Sequence, residues 1–314
     1  MAVLNEVSSE QTFIRVAEVW TPDGDNLQLA GGEYGPLSAF AEASQKTSFA
    51  RSEGLPGRAW AEQRPIVMST LSDSGFVRSK AAAEAGLTSA VAIPVFAAAE
   101  LKAVLVVMCG ADPDHAGAIE IWQDRDEKLQ LDDGYYGHAE SFAAASRQMS
   151  FEHGQGLPGG VWAANTPILM RDLGRAGAFL RSRQASEIGL TSGLGIPIPV
   201  PGGKRYVLTL LSGSRTPIAR RFELWDARGR AGSARRAVLV DGICERDGPL
   251  WPQQNPPVDQ ASASAWDGPV GRVLGSGLPY VQSNGSGLPA GYTQMIALPI
   301  YRGTELAHVV AWYL

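Results

Sequence analysis

Gly54-Leu55-Pro56-Gly57-Arg58-Ala59-Trp60 is the stretch that decides the fold, because it recurs from position 156 as Gly156-Leu157-Pro158-Gly159-Gly160-Val161-Trp162. The sequences around the two copies stay in register almost without gaps. Leu27-Gln28-Leu29 matches Leu129-Gln130-Leu131, and Gly86-Leu87-Thr88-Ser89 matches Gly189-Leu190-Thr191-Ser192. Similarity at a spacing of 102 or 103 positions over this length identifies an internal repeat.

A third, more distant copy follows the first two. All three open alike, with Ala17-Glu18-Val19-Trp20, Ile119-Glu120-Ile121-Trp122 and Phe222-Glu223-Leu224-Trp225. The third copy retains Gly268-Pro269-Val270-Gly271-Arg272 and Ile296-Ala297-Leu298-Pro299-Ile300. It is shorter by about nine residues, since Pro279 to Pro299 is 20 positions where Pro65 to Pro94 is 29 and Pro167 to Pro197 is 30. The repeat therefore predicts three domains, at 1–112, 113–215 and 216–314.

One unit has the pattern of an antiparallel sheet with helices on it. Alternation from Val16 to Trp20 and a turn at Pro22-Asp23-Gly24 predict a hairpin. Alanine-rich segments at 38–48 and 76–85 predict helices, the second of which is stopped by Gly86. Apolar runs at 90–96 and 101–109 predict two further strands. We therefore expect an α+β fold with five to six strands in each unit.

Composition and charge limit the class of protein. The net charge is -5, so no global field recruits nucleic acid or an anionic membrane, and this pattern argues against binding to nucleic acid. The N-terminus has no signal-like apolar segment, and nowhere do eighteen apolar residues run together, which predicts no membrane association. The two cysteines, Cys109 and Cys244, form no disulfide framework and fit a reduced, cytoplasmic protein. The arginines between positions 215 and 236 are interpreted as a solvated, glycine-rich loop rather than an anion site.

The motifs resemble the GAF family, in the bacterial form marked by G-L-P-G-x-x-W, an F-x-R helix and a G-L-x-S-x-x-x-I-P-V strand pair. The resemblance covers nearly the whole chain when the third copy is included as a diverged member. It implies an antiparallel sheet whose helix-covered face can hold a small molecule. It implies no particular chemistry, because one fold hosts many unrelated functions.

The chemistry that such proteins carry is mostly not supported by the residues. No cysteine lies beside the F-x-R helix to attach a bilin, the cyclic-nucleotide signature is missing, and the sulfoxide reductases need several pocket cysteines. The four histidines, His115, His138, His153 and His308, show no zinc-like spacing. We therefore predict no cofactor, no metal site and no catalytic residues, so that the chain is not an enzyme.

Two sets of side chains are the candidates to line a cavity between helices and sheet. The candidate ligand-binding residues are Phe49, Trp60, Phe76 and Arg78 in the first copy, and Phe151, His153, Trp162, Phe179 and Arg181 in the second. The aromatic residues are more typical of a packed core than of a ligand cage. The two arginines could bind an anionic group, but a solvated arginine, or one that holds a nearby carboxylate, is the more usual case.

The joins between units favour assembly over signalling. They are about seven residues long, which cannot form the helices through which sensor domains of this family usually relay a signal. The uncovered sheet face of each unit then needs a neighbouring unit or another chain. We expect a protein-binding or self-assembling scaffold that can hold a small effector in domains 1 and 2. A stand-alone small-molecule sensor is the alternative, and a cryptic redox or haem enzyme is a third.

Overall fold

The computed structural model describes residues 13–72, 75–110, 117–213, 217–231, 234–244, 248–250, 261–283, 288–289 and 291–314. They form three antiparallel sheets, one in each repeat, two with six strands and one with seven. The α+β class and the three sheet units predicted from the repeat are confirmed. The proposed boundaries after residues 112 and 215 lie outside the described residues, as does His115.

Unit 1 contains six strands and three helices. In chain order they are β1 (Ile14–Asp23), β2 (Asn26–Glu33), α1 (Ser38–Gln45), β3 (Phe49–Ala50), α2 (Gly54–Glu62), β4 (Ile66–Met68), α3 (Ser79–Glu84), β5 (Leu87–Ala97) and β6 (Glu100–Gly110). Unit 2 repeats this order with β7 (Gly117–Arg125), β8 (Lys128–Tyr135), α4 (Glu140–Arg147), β9 (Ser150–Phe151), α5 (Gly156–Ala164), β10 (Ile168–Arg171), α6 (Ser182–Ile188), β11 (Leu190–Pro199) and β12 (Arg205–Gly213).

Unit 3 keeps the sheet but has one helix within the described residues. Its elements are β13 (Arg221–Ala231), β14 (Ala234–Cys244), β15 (Gly248–Pro249), β16 (Ser262–Ser264), α7 (Gly268–Ser276), β17 (Tyr280–Ser283), β18 (Gln294–Arg302) and β19 (Glu305–Tyr313). Among the described residues between β17 and β18, no helix takes the place of α3 and α6. The shortening found in the sequence therefore falls where the equivalent helix would be.

The arginine-rich segment of unit 3 is a hairpin, so its interpretation as a solvated loop was wrong. It forms β13 and β14, where Arg221 pairs with Glu223 and Arg228 pairs with Asp226. Cys244 is the last residue of β14. Cross-strand pairing outweighs the glycines of this segment because β13 pairs with β14 from Arg221 to Ala231 and also with β19 from Arg221 to Asp226. Arg215 lies outside the described residues.

A Gly-x-x-Gly segment starts the equivalent helices α2, α5 and α7; it reads Gly-Leu-Pro-Gly in units 1 and 2 and Gly-Pro-Val-Gly in unit 3. Its first glycine has a positive φ in every unit: 56° at Gly54, 61° at Gly156 and 65° at Gly268. A Cβ at the fourth position would lie 2.1, 2.1 and 2.2 Å from the carbonyl oxygens of Ala50, Glu152 and Ser264 respectively. Only glycine lets this backbone approach the preceding strand so closely. The two glycines are therefore required by the backbone conformation at the start of each helix.

Each central strand is buried on both faces, which explains its almost continuous apolar sequence. In β5, Val91, Ile93 and Val95 face one core, whereas Ala90, Ala92 and Phe96 face another. The second core is the helix-side core of unit 1, and unit 2 has its own equivalent. The first core is shared, since it joins sheet residues of all three units, and we call it the common core.

The three units are arranged as a closed ring with approximate threefold symmetry. At the centre, β5, β11 and β18 contact one another. At the periphery, β4 contacts β8 and β17 contacts β2. The ring is closed between units 2 and 3 by β10 and β14, where Arg171 pairs with Asp241 and donates to the carbonyl oxygen of Gly242 at 3.0 Å. Each unit thus contacts both of the others through equivalent elements.

The proline-containing segments of β5, β11 and β18 meet at the centre of this ring. Ile93–Phe96, Ile198–Pro199 and Leu298–Tyr301 surround a cavity of about 10 Å³, which is no larger than one water molecule. The sheet faces are therefore packed closely against one another. The sequence left two covers open for these faces, a neighbouring unit or another chain. In the structure the neighbouring units cover them, so these faces do not require a second chain.

The joins have the lengths that were expected. β6 ends at Gly110 and β7 begins at Gly117, and β12 ends at Gly213 and β13 begins at Arg221. Phe13, just before β1, donates its backbone N–H to the carbonyl oxygen of Pro217 at 2.9 Å, which ties unit 1 to the second join.

We expect Arg171→Ala to lower the free energy of unfolding by about 1–2 kcal/mol, because it removes a partly buried ion pair between two units. Arg183→Ala is the matched control, since Arg183 pairs with Glu187 on one helix and its side chain is 88% exposed. Urea denaturation of both variants would measure the difference. Equal midpoints would show that the ion pair between β10 and β14 contributes nothing to holding the units together.

Candidate functional site

A buried ion pair occupies the helix-covered side of the sheet in unit 1. Glu18 on β1 is fully buried, and Arg78, just before α3, is 6% exposed. The guanidinium group donates to both carboxylate oxygens, at 2.5 Å to Oε1 and 2.9 Å to Oε2. Arg78 also donates to the hydroxyl of Ser44 on α1. Bidentate geometry of this kind is the strongest form of arginine–carboxylate pairing.

Further hydrogen bonds complete the coordination of Glu18. Trp20 Nε1 donates to Oε2 at 3.0 Å, and Tyr34 Oη donates to Oε1 at 3.1 Å. Glu18 and Trp20 are two residues apart on a strand and therefore lie on the same face. The repeated Glu-x-Trp sequence thus encodes a carboxylate and one of its own donors.

Aromatic rings surround the guanidinium group of Arg78. Its Cζ lies 4.9 Å from the ring centre of Phe40, 5.4 Å from that of Phe76 and 5.7 Å from that of Phe49. Such contacts stabilise a cation that has lost its water. Helices α1 and α3 and strand β3 are therefore all held to one charged centre on β1.

Unit 2 builds the same cluster from equivalent residues. Arg181, which is 2% exposed, pairs with Glu120 and also donates to Ser146. Trp122 and Tyr136 donate to Glu120 at 3.1 and 3.3 Å. Thr209 on β12 adds a donor at 3.0 Å that unit 1 does not use. Phe142, Phe151 and Phe179 surround the arginine as their counterparts do in unit 1.

Unit 3 also has a buried carboxylate, which it pairs with an arginine of β13, a strand, rather than with one before a helix. Its buried carboxylate, Glu223, is paired with Arg221 from the same strand, whose Nε donates to Oε1 at 2.7 Å. Trp225 and Tyr313 donate to Oε2 at 3.0 and 2.7 Å. The carboxylate and tryptophan are kept while the arginine has moved from a helix terminus to β13. A carboxylate buried this deeply needs a cation wherever the chain can supply one.

The environment of Glu120 lowers its pKa. Burial alone raises the pKa of this carboxyl group, but the charge of Arg181 and the hydrogen bonds from Arg181 and Thr209 outweigh that effect. Glu120 is therefore ionised in the folded protein, and the ion pair is intact at neutral pH.

We expect the stability of the protein to fall as the pH is lowered, in part through Glu120. Because the folded pKa lies below the ordinary value of 4.5, this stabilisation is present above about pH 4.5 and is lost as the pH falls through the folded pKa. Urea midpoints of the wild type and Glu120→Gln between neutral and acidic pH would measure it, with the exposed Glu187→Gln as the control. The difference in urea midpoint between the wild type and Glu120→Gln should narrow at low pH. A constant difference would contradict a stabilising, ionised Glu120.

The structure separates the predicted ligand-binding residues into two groups. The first group is buried on the helix side of the sheets, where the rings lie against the two arginines and the arginines pair with Glu18 and Glu120; it comprises Phe49, Phe76, Arg78, Phe151, Phe179 and Arg181. Trp60 and Trp162 are half-buried, and His153 is exposed. Both arginines hold a carboxylate, the alternative raised from the sequence. Ligand binding by any of these residues stays a prediction.

A cleft of about 500 Å³ lies beside Trp162, between α5 and the β11–β12 hairpin. Its lining includes His153, Asn165, Lys204 and Tyr206. The His153 ring meets the Trp162 indole edge-on, with ring centres 5.1 Å apart. In unit 1 the equivalent pair is Arg51 over Trp60, at 5.7 Å. The two tryptophans and His153 are the predicted ligand-binding residues that solvent reaches.

The thiols are buried within the part of the chain that the structure describes. Cys109 is fully buried in the common core, and burial raises its pKa to about 12. It is therefore a protonated thiol at neutral pH and a poor nucleophile. The Cys244 thiol lies 2.8 Å from Tyr292 Oη.

Within the described residues, no cluster of three histidine, cysteine or acidic side chains is placed to hold a metal ion. The helices of those same residues are too short to cross a membrane.

The buried glutamates were missed as site residues by the sequence reasoning. Glu18, Glu120 and Glu223 all stand in the opening signature of the repeat, two residues before its tryptophan. A charged residue that recurs in three apolar strands was the available signal. What the sequence could not show is which arginine each glutamate contacts.

Comparison with known proteins finds likeness at the level of solved structures. No family model and no curated protein matches the chain. One similar structure is the A. aeolicus nlh2 GAF domain, at 17% identity over 32% of this chain and 59% of that one, with a TM-score of 0.26. Another is the GAF domain of the Acinetobacter phosphoenolpyruvate-protein phosphotransferase, at 19% identity over 31% of this chain and 55% of that one, with a TM-score of 0.24.

A free methionine-R-sulfoxide reductase from Neisseria meningitidis, solved with its substrate, is also similar, at 18% identity over 31% of this chain and 52% of that one, with a TM-score of 0.25. The chain thus spans little more than half the length of each of these structures, and each match covers about one of its three units. Solved GAF domains are therefore among the structures that this chain is similar to.

Proposed function

We propose that this protein is a non-enzymatic scaffold that binds another protein. The observation that carries the proposal is the filling of the helix-side space in units 1 and 2 by the clusters around Glu18 and Glu120. Arg78 and Arg181 are held there by two carboxylate oxygens and a serine each. A ligand that entered this space would have to displace a buried ion pair, which costs several kcal/mol.

The ring arrangement supports a partner other than a second copy. The sheet faces cover one another in the common core, so their apolar surface is already removed from water within one chain. What remains for binding is the outer surface of the ring, where the helices and hairpin tips of the units meet. A rigid ring that presents such a surface suits a docking protein, because it loses little conformational freedom on binding.

Native mass spectrometry of freshly purified protein, together with an absorption spectrum, tests the proposal. The expected result is a single chain without an adduct and without a visible absorption band. A stoichiometric small molecule would overturn the scaffold assignment in favour of a sensor. A symmetric dimer would instead support self-assembly, and a coloured cofactor would reopen redox chemistry.

A small-molecule sensor is the second candidate, and the open cleft beside Trp162 favours it. Its aromatic wall and the nearby Lys204 suit a planar, anionic molecule. A metabolite screen by thermal shift would test this function. A hit that stabilises the wild type and Trp60→Ala but not Trp162→Ala would support it, whereas equal shifts in all three proteins would contradict it.

A further inference from the structure

One backbone position has a positive φ in all three units. It lies two residues before the first glycine of helices α2, α5 and α7. Ser52 has a φ of 74°, Gly154 of 83° and Trp266 of 72°. Glycine accepts this conformation without cost, but a bulky residue does not. Unit 3 therefore places a tryptophan where the fold is least suited to it. Strain of this kind is concentrated at functional sites.

The side chain of Trp266 is exposed but held in place. It is 66% exposed, the most exposed of the large apolar side chains in the described residues. Its indole lies against Gly275 on α7, where a Cβ would come within 2.3 Å of a ring atom. The equivalent residues of α2 and α5 are Ala61 and Ala163. Unit 3 thus combines two changes, one that adds the indole and one that makes room for it.

Trp266 separates two clefts between unit 3 and unit 1. One, of about 530 Å³, lies between α7 and the tips of the β5–β6 and β18–β19 hairpins. The other, of about 210 Å³, has Val19 and Gly31 of unit 1 on one side and Leu278 and Tyr280 of unit 3 on the other. Trp266 and Ser276 line both clefts. Because one cleft lies on each side of the indole, the surface suits an extended peptide that places one side chain in each cleft.

The charges that line these clefts are mostly positive. Arg235 lines the larger cleft and Arg272 the smaller one. Neither forms an ion pair with a described residue, and Arg272 lies 5.5 Å from the ring centre of Tyr280. Glu100 is the one acidic residue among the lining residues, and it is paired with Lys102. Two arginines that pair with none of the described carboxylates, on a chain of net charge -5, mark a local site for acidic groups.

We propose that the groove around Trp266 binds a segment of a partner protein that carries acidic residues next to an apolar side chain. The apolar side chain packs against the indole, and the carboxylates pair with Arg235 and Arg272. Exposed tryptophan and arginine together are the residue types that dominate binding energy at protein interfaces. The inference rests on the proposed scaffold function and names its docking surface.

Fluorescence anisotropy with labelled synthetic peptides of about twelve residues tests this site. The probes are an acidic peptide with a central leucine, the same peptide with lysines for the acidic residues, and the acidic peptide with serine for leucine. A single-stranded oligothymidylate serves as a fourth probe, because tryptophan and arginine also suit stacked bases. The acidic leucine peptide should bind, and the lysine and serine peptides should bind at least roughly tenfold more weakly.

The chain supplies its own matched variants. Trp266→Gly introduces the residue that unit 2 has at this position, so the variant should fold, and it should weaken peptide binding at least roughly tenfold. Arg272→Ala should weaken it similarly, whereas Arg58→Ala, at the equivalent position of α2, should leave it unchanged. Circular dichroism would verify the fold of each variant.

Several results would overturn the inference. These are a lack of binding by the acidic peptide, equal binding of the lysine peptide, tighter binding of the oligonucleotide, and unchanged binding by Trp266→Gly. A protein partner that binds wild type and Trp266→Gly equally would remove this groove as the docking surface while leaving the scaffold function standing. A retained small molecule in native mass spectrometry would instead remove the scaffold function itself.

Discussion

Arg78→Met should lower the free energy of unfolding by about 3–5 kcal/mol, because it leaves the carboxylate of Glu18 buried without its cation. The side chain of Glu18 is fully buried and the side chain of Arg78 is 4% exposed, so water cannot replace the guanidinium group. Methionine has a similar length and keeps contacts with the surrounding rings, which isolates the loss of charge. The urea midpoint, followed by far-ultraviolet circular dichroism, measures the effect.

Two further variants decide whether the ion pair is the cause. Arg58→Met removes an exposed arginine that pairs with Glu62 on the surface of α2, and it should cost no more than about 1 kcal/mol. Glu18→Gln combined with Arg78→Met removes both charges and should recover more than half of the loss. A double variant as unstable as Arg78→Met would show that packing, rather than an unpaired charge, causes the destabilisation.

Gly159→Ala should destabilise the protein by about 3 kcal/mol, at the upper end of the cost of overpacking. The new Cβ would lie 2.1 Å from the carbonyl oxygen of Glu152, so strand β9 and helix α5 would have to separate. This contact is between backbone atoms, which cannot move aside as a flexible side chain can. Thermal or urea denaturation would measure the loss.

The adjacent glycine provides the control for this substitution. Gly160 lies in the same helix, and a Cβ there would meet Ile168 Cδ1 at 3.4 Å, an ordinary contact. Because alanine is the better helix former, Gly160→Ala should be neutral or should stabilise by up to about 1 kcal/mol. If both substitutions had the same effect, the close approach at the fourth position of the motif would not be what requires glycine.

The two predictions concern the same feature of the molecule, which is the way helices are fixed to the sheet in units 1 and 2. The G-x-P-G turn fixes α2 and α5 at their first residues, and the arginine before α3 and α6 fixes those helices to the buried glutamate. Unit 3 keeps the turn but has no counterpart of α3 among its described residues, and it presents Trp266 instead. The unit without a described counterpart of α3 is thus the one that presents an exposed tryptophan.

Much of each unit could be predicted from the sequence because its determinants are local. The hairpin with its turn at Pro22-Asp23-Gly24 and the helix stopped by Gly86 form near the residues where periodicity and turn chemistry placed them. The apolar runs at 90–96 and 101–109 became β5 and β6. These features depend on alternation, glycine conformations and helix propensity, which residues close in sequence determine.

The candidate site was predicted less completely because it depends on contacts between distant residues. Arg78 was singled out, but its partner Glu18 is 60 residues away, and the pairing follows from the packing of α3 over β1. The choice between an arginine that binds a ligand and one that holds a carboxylate was therefore open in the sequence. The hairpin of unit 3 was missed for a similar reason, since its pairing with β19 overrides a glycine-rich composition.

By itself, the sequence determined that the chain has three unequal copies of one α+β unit, because a repeat and its turn glycines are visible without coordinates. Only the tertiary structure decided how the copies combine. It showed that their sheet faces cover one another around Pro94, Pro199 and Pro299, that buried ion pairs fill the helix-side space, and that Trp266 lies between two units. These are consequences of burial and charge pairing across large sequence separations, which become determinate only when the units are packed together.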